Sequence, residues 1–122
     1  MVEASCHCGM VRLAVPHLPD QVTACNCSIC RRLGTWCAYY DPAEVKFLAG
    51  EDHLDTYAWG DRTILFRRCR TCGCAVDWVA NPEKPPIART GVNARLFPPE
   101  IVNALRVRRF DGADTWTYLD EA

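Results

Sequence analysis

Apolar and polar residues alternate along this chain in short segments: VRLAV (residues 11–15), VTAC (22–25), WCAYY (36–40), VKFL (45–48), TILFRR (63–68) and AVDWVA (75–80). Alternation at period two marks half-buried strands, and no long stretch shows the three-and-four spacing of an amphipathic helix. The breaks between segments carry turn chemistry, PHLPD (16–20), DPAE (41–44), AGED (49–52), WGDR (59–62) and NPEKPP (81–86). Two short helices are expected, SICRRL after Cys27 and PPEIVNAL near the C-terminus, where Pro98 and Pro99 suit a first helical turn. Farther on, Val107, Phe110, Trp116 and Tyr118 alternate enough to predict a late strand and a packed tail. The pattern as a whole predicts a mainly β protein of short strands.

The 122 residues have the size of one domain, and NPEKPP is too short to separate two, so residues 1–122 are read as a single domain. Composition changes this picture at one point, the nine cysteines. Such density means either a disulfide framework or thiolate metal sites. Metal is favoured, because the count is odd and no signal peptide precedes SCHCG. The one-residue separations in Cys6/Cys8, Cys25/Cys27 and Cys72/Cys74 also suit a shared metal better than mutual bridging. A reducing, cytoplasmic setting is therefore expected, with no apolar run of the roughly 20 residues that cross a bilayer. Fourteen Lys and Arg against fifteen Asp and Glu leave a net charge of −1, which gives no field to hold a polyanion. RRCR (67–70) and RVRR (106–109) are the basic clusters, too little for a nucleic-acid stripe.

The cysteines form three clusters, Cys6/Cys8, Cys25/Cys27/Cys30 and Cys69/Cys72/Cys74, with Cys37 apart. CxxCG at 69–73 has the form of a zinc knuckle, and Cys8-Gly9 ends its cluster in the same way. Pairing Cys6 and Cys8 with Cys69 and Cys72 builds a closed structural site of four thiolates that contributes folding free energy. Cys25, Cys27 and Cys30 then supply three ligands from one segment, which suits a catalytic zinc with an exchangeable position. Closure of this second site by Cys37 or Cys74 stands on spacing alone as an equal alternative. Both of those cysteines also suit simple burial. His7, His17 and His53 read as surface residues.

SCHCGMVRLAV, CNCSICRRLGTW, FRRCRTCGCAVDW, NARLF and a late FDG, in that order, resemble the glutathione-dependent formaldehyde-activating enzyme family, also called the centromere protein V-like family. The resemblance implies a β-tent fold of packed antiparallel sheets stapled by zinc, and two zinc ions per chain. It places the structural zinc on Cys6, Cys8, Cys69 and Cys72, and the catalytic zinc on Cys25, Cys27 and Cys30. The chain departs from the family at Asn26 and Cys74, where histidine and serine are common.

The expected activity is that of a carbon–sulfur lyase-type enzyme acting on adducts of a small, glutathione-like thiol with an aldehyde. Its alternative is a non-catalytic, zinc-stapled binding module. A thiol bound to zinc is deprotonated at neutral pH, whereas three thiolates around a 2+ ion carry net −1 and weaken its Lewis acidity. Activation of the thiol is thus the favoured role. Arg31 and Arg32, directly behind the middle cluster, and Asn93 and Arg95 in NARLF are candidate substrate contacts, since glutathione brings two carboxylates. Trp36 and Tyr39 are candidate pocket walls. Exposed strand edges leave room for a homodimer.

Overall fold

The computed structural model describes residues 1–120. Its ten strands are β1 (Val2–Ser5), β2 (Arg12–Val15), β3 (Val22–Cys25), β4 (Cys37–Tyr40), β5 (Lys46–Ala49), β6 (Leu54–Tyr57), β7 (Ile64–Cys69), β8 (Ala75–Ala80), β9 (Thr90–Asn93) and β10 (Val107–Phe110). They form a three-stranded sheet in the order β1-β2-β5 and a seven-stranded sheet in the order β10-β3-β4-β9-β8-β7-β6. All pairings are antiparallel except β10 with β3. The two α-helices are single turns, α1 (Cys30–Leu33) and α2 (Pro99–Val102), shorter than the segments expected from sequence. Gly34, at φ 71°, ends α1 in a left-handed conformation suited to a residue without Cβ.

Every alternating segment is a strand, and three strands arise where no alternation was expected. In β9 all four residues, TGVN, are buried, because it is the middle strand of the larger sheet and both its faces are covered. Such a strand has no polar side to reveal it. β1 and β6 are short edge strands rich in polar residues.

Strand parity gives the larger sheet two distinct faces. On one, Val92 stands level with Ala38 and Asp77. Ala38, Val92, Val76 and Tyr40 join Leu13, Val15 and Val11 in one buried apolar cluster, with Phe47 of β5 packed against it. Asp77 lies on this side in a two-point ion pair with Arg67, at 2.6 and 2.7 Å, and the Arg67 guanidinium also sits 5.2 Å from the Phe47 ring centroid. On the other face stand Cys37 level with Thr23, and Tyr39, Gly91 and Trp78 in one row across three strands. No helix among the described residues is long and apolar enough to cross a membrane.

Candidate metal centre and cleft

The turns after β1 and after β7 each close on a glycine that bonds back to the turn's first cysteine. Gly9 N–H donates to Cys6 O at 3.2 Å and Gly73 N–H to Cys69 O at 2.9 Å, with the two glycines at φ 81° and 78°. Each turn folds its thiols to one side. The turns meet between the two sheets, so that the Sγ atoms of Cys6, Cys8, Cys69 and Cys72 all lie within 4.8 Å of one another. Cys8 Sγ is 3.7 Å from Cys6 Sγ and 3.6 Å from Cys69 Sγ. A tetrahedral ion with metal–sulfur bonds of about 2.3 Å sets sulfurs roughly 3.8 Å apart, so these four residues fit zinc. The Val11 N–H points at Cys6 Sγ, 3.3 Å away, a donor that favours thiolate.

Cys25, Cys27 and Cys30 form a second group with the same mutual spacing. Cys25 closes β3 and Cys30 opens α1, and the Cys30 N–H lies 3.4 Å from Cys27 Sγ. Burial pushes the Cys27 thiol up, but the N–H groups of Cys30 and Ile29 and the neighbouring sulfurs outweigh it and set the net direction downward. For Cys30 burial prevails, reinforced by Cys27, and its thiol is raised. Three thiols at this spacing are a donor set that fits a soft divalent cation.

Neither Cys37 nor Cys74 belongs to this group of three. Cys37 is buried in β4 on the cleft wall, its thiol pushed up to about 11 by loss of solvent. Cys74 lies in the β7–β8 turn beside Cys72, on the side of the four-cysteine cluster. Among the described residues the thiols within mutual ligand spacing are Cys25, Cys27 and Cys30; Cys37 stands on the same cleft wall outside that spacing, and Cys74 stands with the other cluster.

The three thiols lie in the wall of a cleft of about 870 Å³. Its other walls come from the parity-defined face, with Thr23, Tyr39, Phe66 and Trp78, from the β6–β7 loop with Trp59 and Asp61, and from the segment after β10. That last segment is anchored at Asn26, between two of the cysteines. Asn26 Nδ2 donates to Asp111 Oδ1 at 2.9 Å, its Oδ1 accepts from Ala113 N–H at 3.0 Å, and its own N–H donates to Phe110 O at 3.1 Å. Asn26 thus ties the metal segment to the loop that carries Trp116 over the cleft. The Trp116 ring meets Phe110 edge-on at 5.1 Å, and Phe110 also meets Tyr118 at 5.0 Å.

The arginines expected at the substrate are elsewhere. Arg31 and Arg32 are exposed, Arg32 donates to Ser28 O at 2.8 Å, and neither lines the cleft. Arg95 stacks on Trp36, 4.3 Å from the ring centroid, and neither residue lines the cleft. Asn93 is buried, its amide donating to Ala75 O at 2.8 Å and accepting from Trp36 N–H and Arg95 N–H, which makes it a brace of β9 and its flanking turns. The cation that does line the cleft is Arg89, with its guanidinium 4.1 Å from the Tyr39 ring centroid. Sequence reasoning missed it because it lies far from every cysteine cluster. The signal that could have found it is a basic residue two positions before a glycine in a strand.

Fold and site together define a mainly β, two-sheet protein with one closed four-thiol cluster and one three-thiol cluster facing a cleft. A model of the glutathione-dependent formaldehyde-activating enzyme family matches residues 1–101, and the chain belongs to that family. It is similar, at 31% identity, to a Halomonas elongata protein named provisionally as a glutathione-dependent formaldehyde-activating enzyme; the match covers 77% of this chain and 65% of that relative. The chain therefore spans just under two thirds of the length of that relative. The fold is similar to the crystal structure of a Rhodobacter sphaeroides protein, with a TM-score of 0.70 at 28% identity, covering 86% of this chain and 98% of that one.

Proposed function

We propose that the chain is a single-domain, zinc-dependent enzyme of carbon–sulfur lyase type, which joins a small thiol such as glutathione to an aldehyde or reverses that addition. The observation that carries this reading is the three-thiol group in the cleft wall beside a four-thiol group that is complete without it. Cys6, Cys8, Cys69 and Cys72 are assigned a structural zinc, and Cys25, Cys27 and Cys30 a catalytic one.

In the forward direction the thiol sulfur bonds to the aldehyde carbon, the carbonyl π-bond opens, and the proton lost by sulfur ends on oxygen. A zinc ion with an exchangeable position supplies, when bound, the means to hold the substrate sulfur as thiolate. The chain's own residues position the adduct and hold the proton. Thr23 and Tyr118 share a hydroxyl–hydroxyl hydrogen bond of 2.9 Å on the cleft wall. Burial pushes the Tyr39 phenol up to about 12, which keeps it a neutral O–H group at physiological pH. These hydroxyls are the proton donors nearest in kind to what the hemithioacetal oxygen requires.

The test is exchange between free glutathione, formaldehyde and their adduct, followed by NMR with the zinc-loaded protein and with its Cys27→Ala variant. Acceleration by the first and none by a folded second is expected. Absence of acceleration with the wild-type protein for any thiol and aldehyde pair would favour the zinc-stapled binding module.

A further inference from the structure

The polar chemistry of the cleft is sparse. Among the described residues lining it, Arg89 is the one cation and Asp61 the one carboxylate. Asp61 is already engaged, accepting from Thr63 N–H at 3.1 Å and Thr63 Oγ at 3.0 Å. Arg89 has no ion pair or hydrogen bond to any described residue, and its guanidinium lies over the π-face of Tyr39. Stacking holds a guanidinium plane by its face and leaves the fork of N–H donors at its edge unused.

The sheet face beside this cation is built of rings. Gly91 lies level with Tyr39 on one side and Trp78 on the other, and any side chain at position 91 would collide with the Trp78 indole. The Trp78 indole lies directly over Gly91 and takes the space a side chain there would need. Arg89, two residues before Gly91 and just ahead of β9, stands by parity on the same face and stacks on Tyr39 with its side chain exposed at the cleft. The loop before it carries Pro82, Pro85 and Pro86, which restrict its backbone. Much of the remaining wall is rings, with Trp59, Phe66, Phe110 and Trp116 added to Tyr39 and Trp78. A one-carbon aldehyde would leave most of this aromatic surface without contact.

Resting on the reading above that the cleft takes thiol–aldehyde adducts, we propose that Arg89 grips a carboxylate on the thiol half of the substrate. The aldehyde half that this cleft selects is an aromatic or other bulky apolar one. Arg89 is a specificity-determining residue for which the sequence neighbours of the cysteines were poor guides.

Stable thioethers test this without turnover. Calorimetric titration of the zinc-loaded full chain with 3-(benzylthio)propanoate, its primary amide and 3-(methylthio)propanoate separates the two features. The benzyl carboxylate should bind about tenfold or more tighter than the amide, the span of one charge-assisted hydrogen-bonding contact, and tighter than the methyl carboxylate by a similar factor. Arg89→Gln should abolish the first difference and keep the second, and Arg89→Lys should restore part of the first. Equal binding of acid and amide, a preference that survives in Arg89→Gln, or equal binding of methyl and benzyl compounds would overturn the assignment. A protein that shows the expected binding pattern yet accelerates no adduct formation sinks the catalytic reading and leaves Arg89 as a carboxylate-binding residue. One that accelerates adduct formation but ignores the carboxylate sinks the Arg89 assignment alone.

Discussion

Gly112 rests directly on Cys25: a Cβ placed on the glycine would lie 2.6 Å from the cysteine Sγ and 3.2 Å from Cys27 Cβ. The backbone after β10 therefore backs the three-thiol group, and position 112 has room for hydrogen alone. Gly112→Ala is expected to push Cys25 out of place at a cost of about 1–3 kcal/mol, as overpacking usually does. Metal analysis should show the cleft ion lost and the four-cysteine site still filled. A variant that keeps both ions would contradict the close approach.

Asn26 makes the same loop sensitive to acid. The Asp111 carboxylate accepts from Asn26 Nδ2, Thr115 Oγ and Thr115 N–H, which hold its pKa below the ordinary value, with Asn26 the largest influence. A carboxyl depressed in the folded state stabilises the loop above its unfolded pKa of about 4 and loses that contribution as pH falls through the lower, folded value. The Trp116 emission, isolated as a difference against Trp116→Phe, should change on acidification below that point. In Asn26→Ala the change should begin at higher pH. Identical titrations of the two proteins would show that Asn26 does not hold the loop.

The Arg67–Asp77 pair joins β7 and β8 in the face that meets the smaller sheet, with side chains 14% and 1% exposed. Burial raises the Asp77 carboxyl, and Arg67 opposes that rise. Asp77→Ala leaves the Arg67 guanidinium with the exposed Glu51 carboxylate, 3.5 Å away, as its remaining partner and should cost about 3 kcal/mol in urea unfolding, the low end for a broken buried pair. The double variant Arg67→Met/Asp77→Leu should recover most of the loss. A double variant as unstable as the single one would mean the pair acts through more than its own charge.

Residues whose role is local were legible in the sequence. Gly73 and Gly9 announced the two turns, the alternating segments announced their strands, and subtraction of the four knuckle cysteines isolated Cys25, Cys27 and Cys30. What escaped depends on strand order. Arg31 and Arg32 adjoin the cysteines in sequence but face solvent on a single helical turn, whereas Arg89 reaches the cleft because β9 is inserted between β4 and β8. TGVN carries neither alternation nor β-branched density beyond Thr90 and Val92, so nothing local marked it as the middle strand. Asn93 and Arg95 were noticed for their polarity, and the fold uses that polarity for bracing and for stacking on Trp36.

Zinc content per chain, measured on protein purified without added metal, bears most directly on the division into a structural and a catalytic site. The wild-type chain should carry two zinc ions, and Cys27→Ala should carry one while keeping the wild-type circular dichroism and a cooperative unfolding transition. Cys69→Ala should impair folding itself, because its site joins the two sheets. One zinc in the wild-type protein, or two in a folded Cys27→Ala variant, would contradict the account.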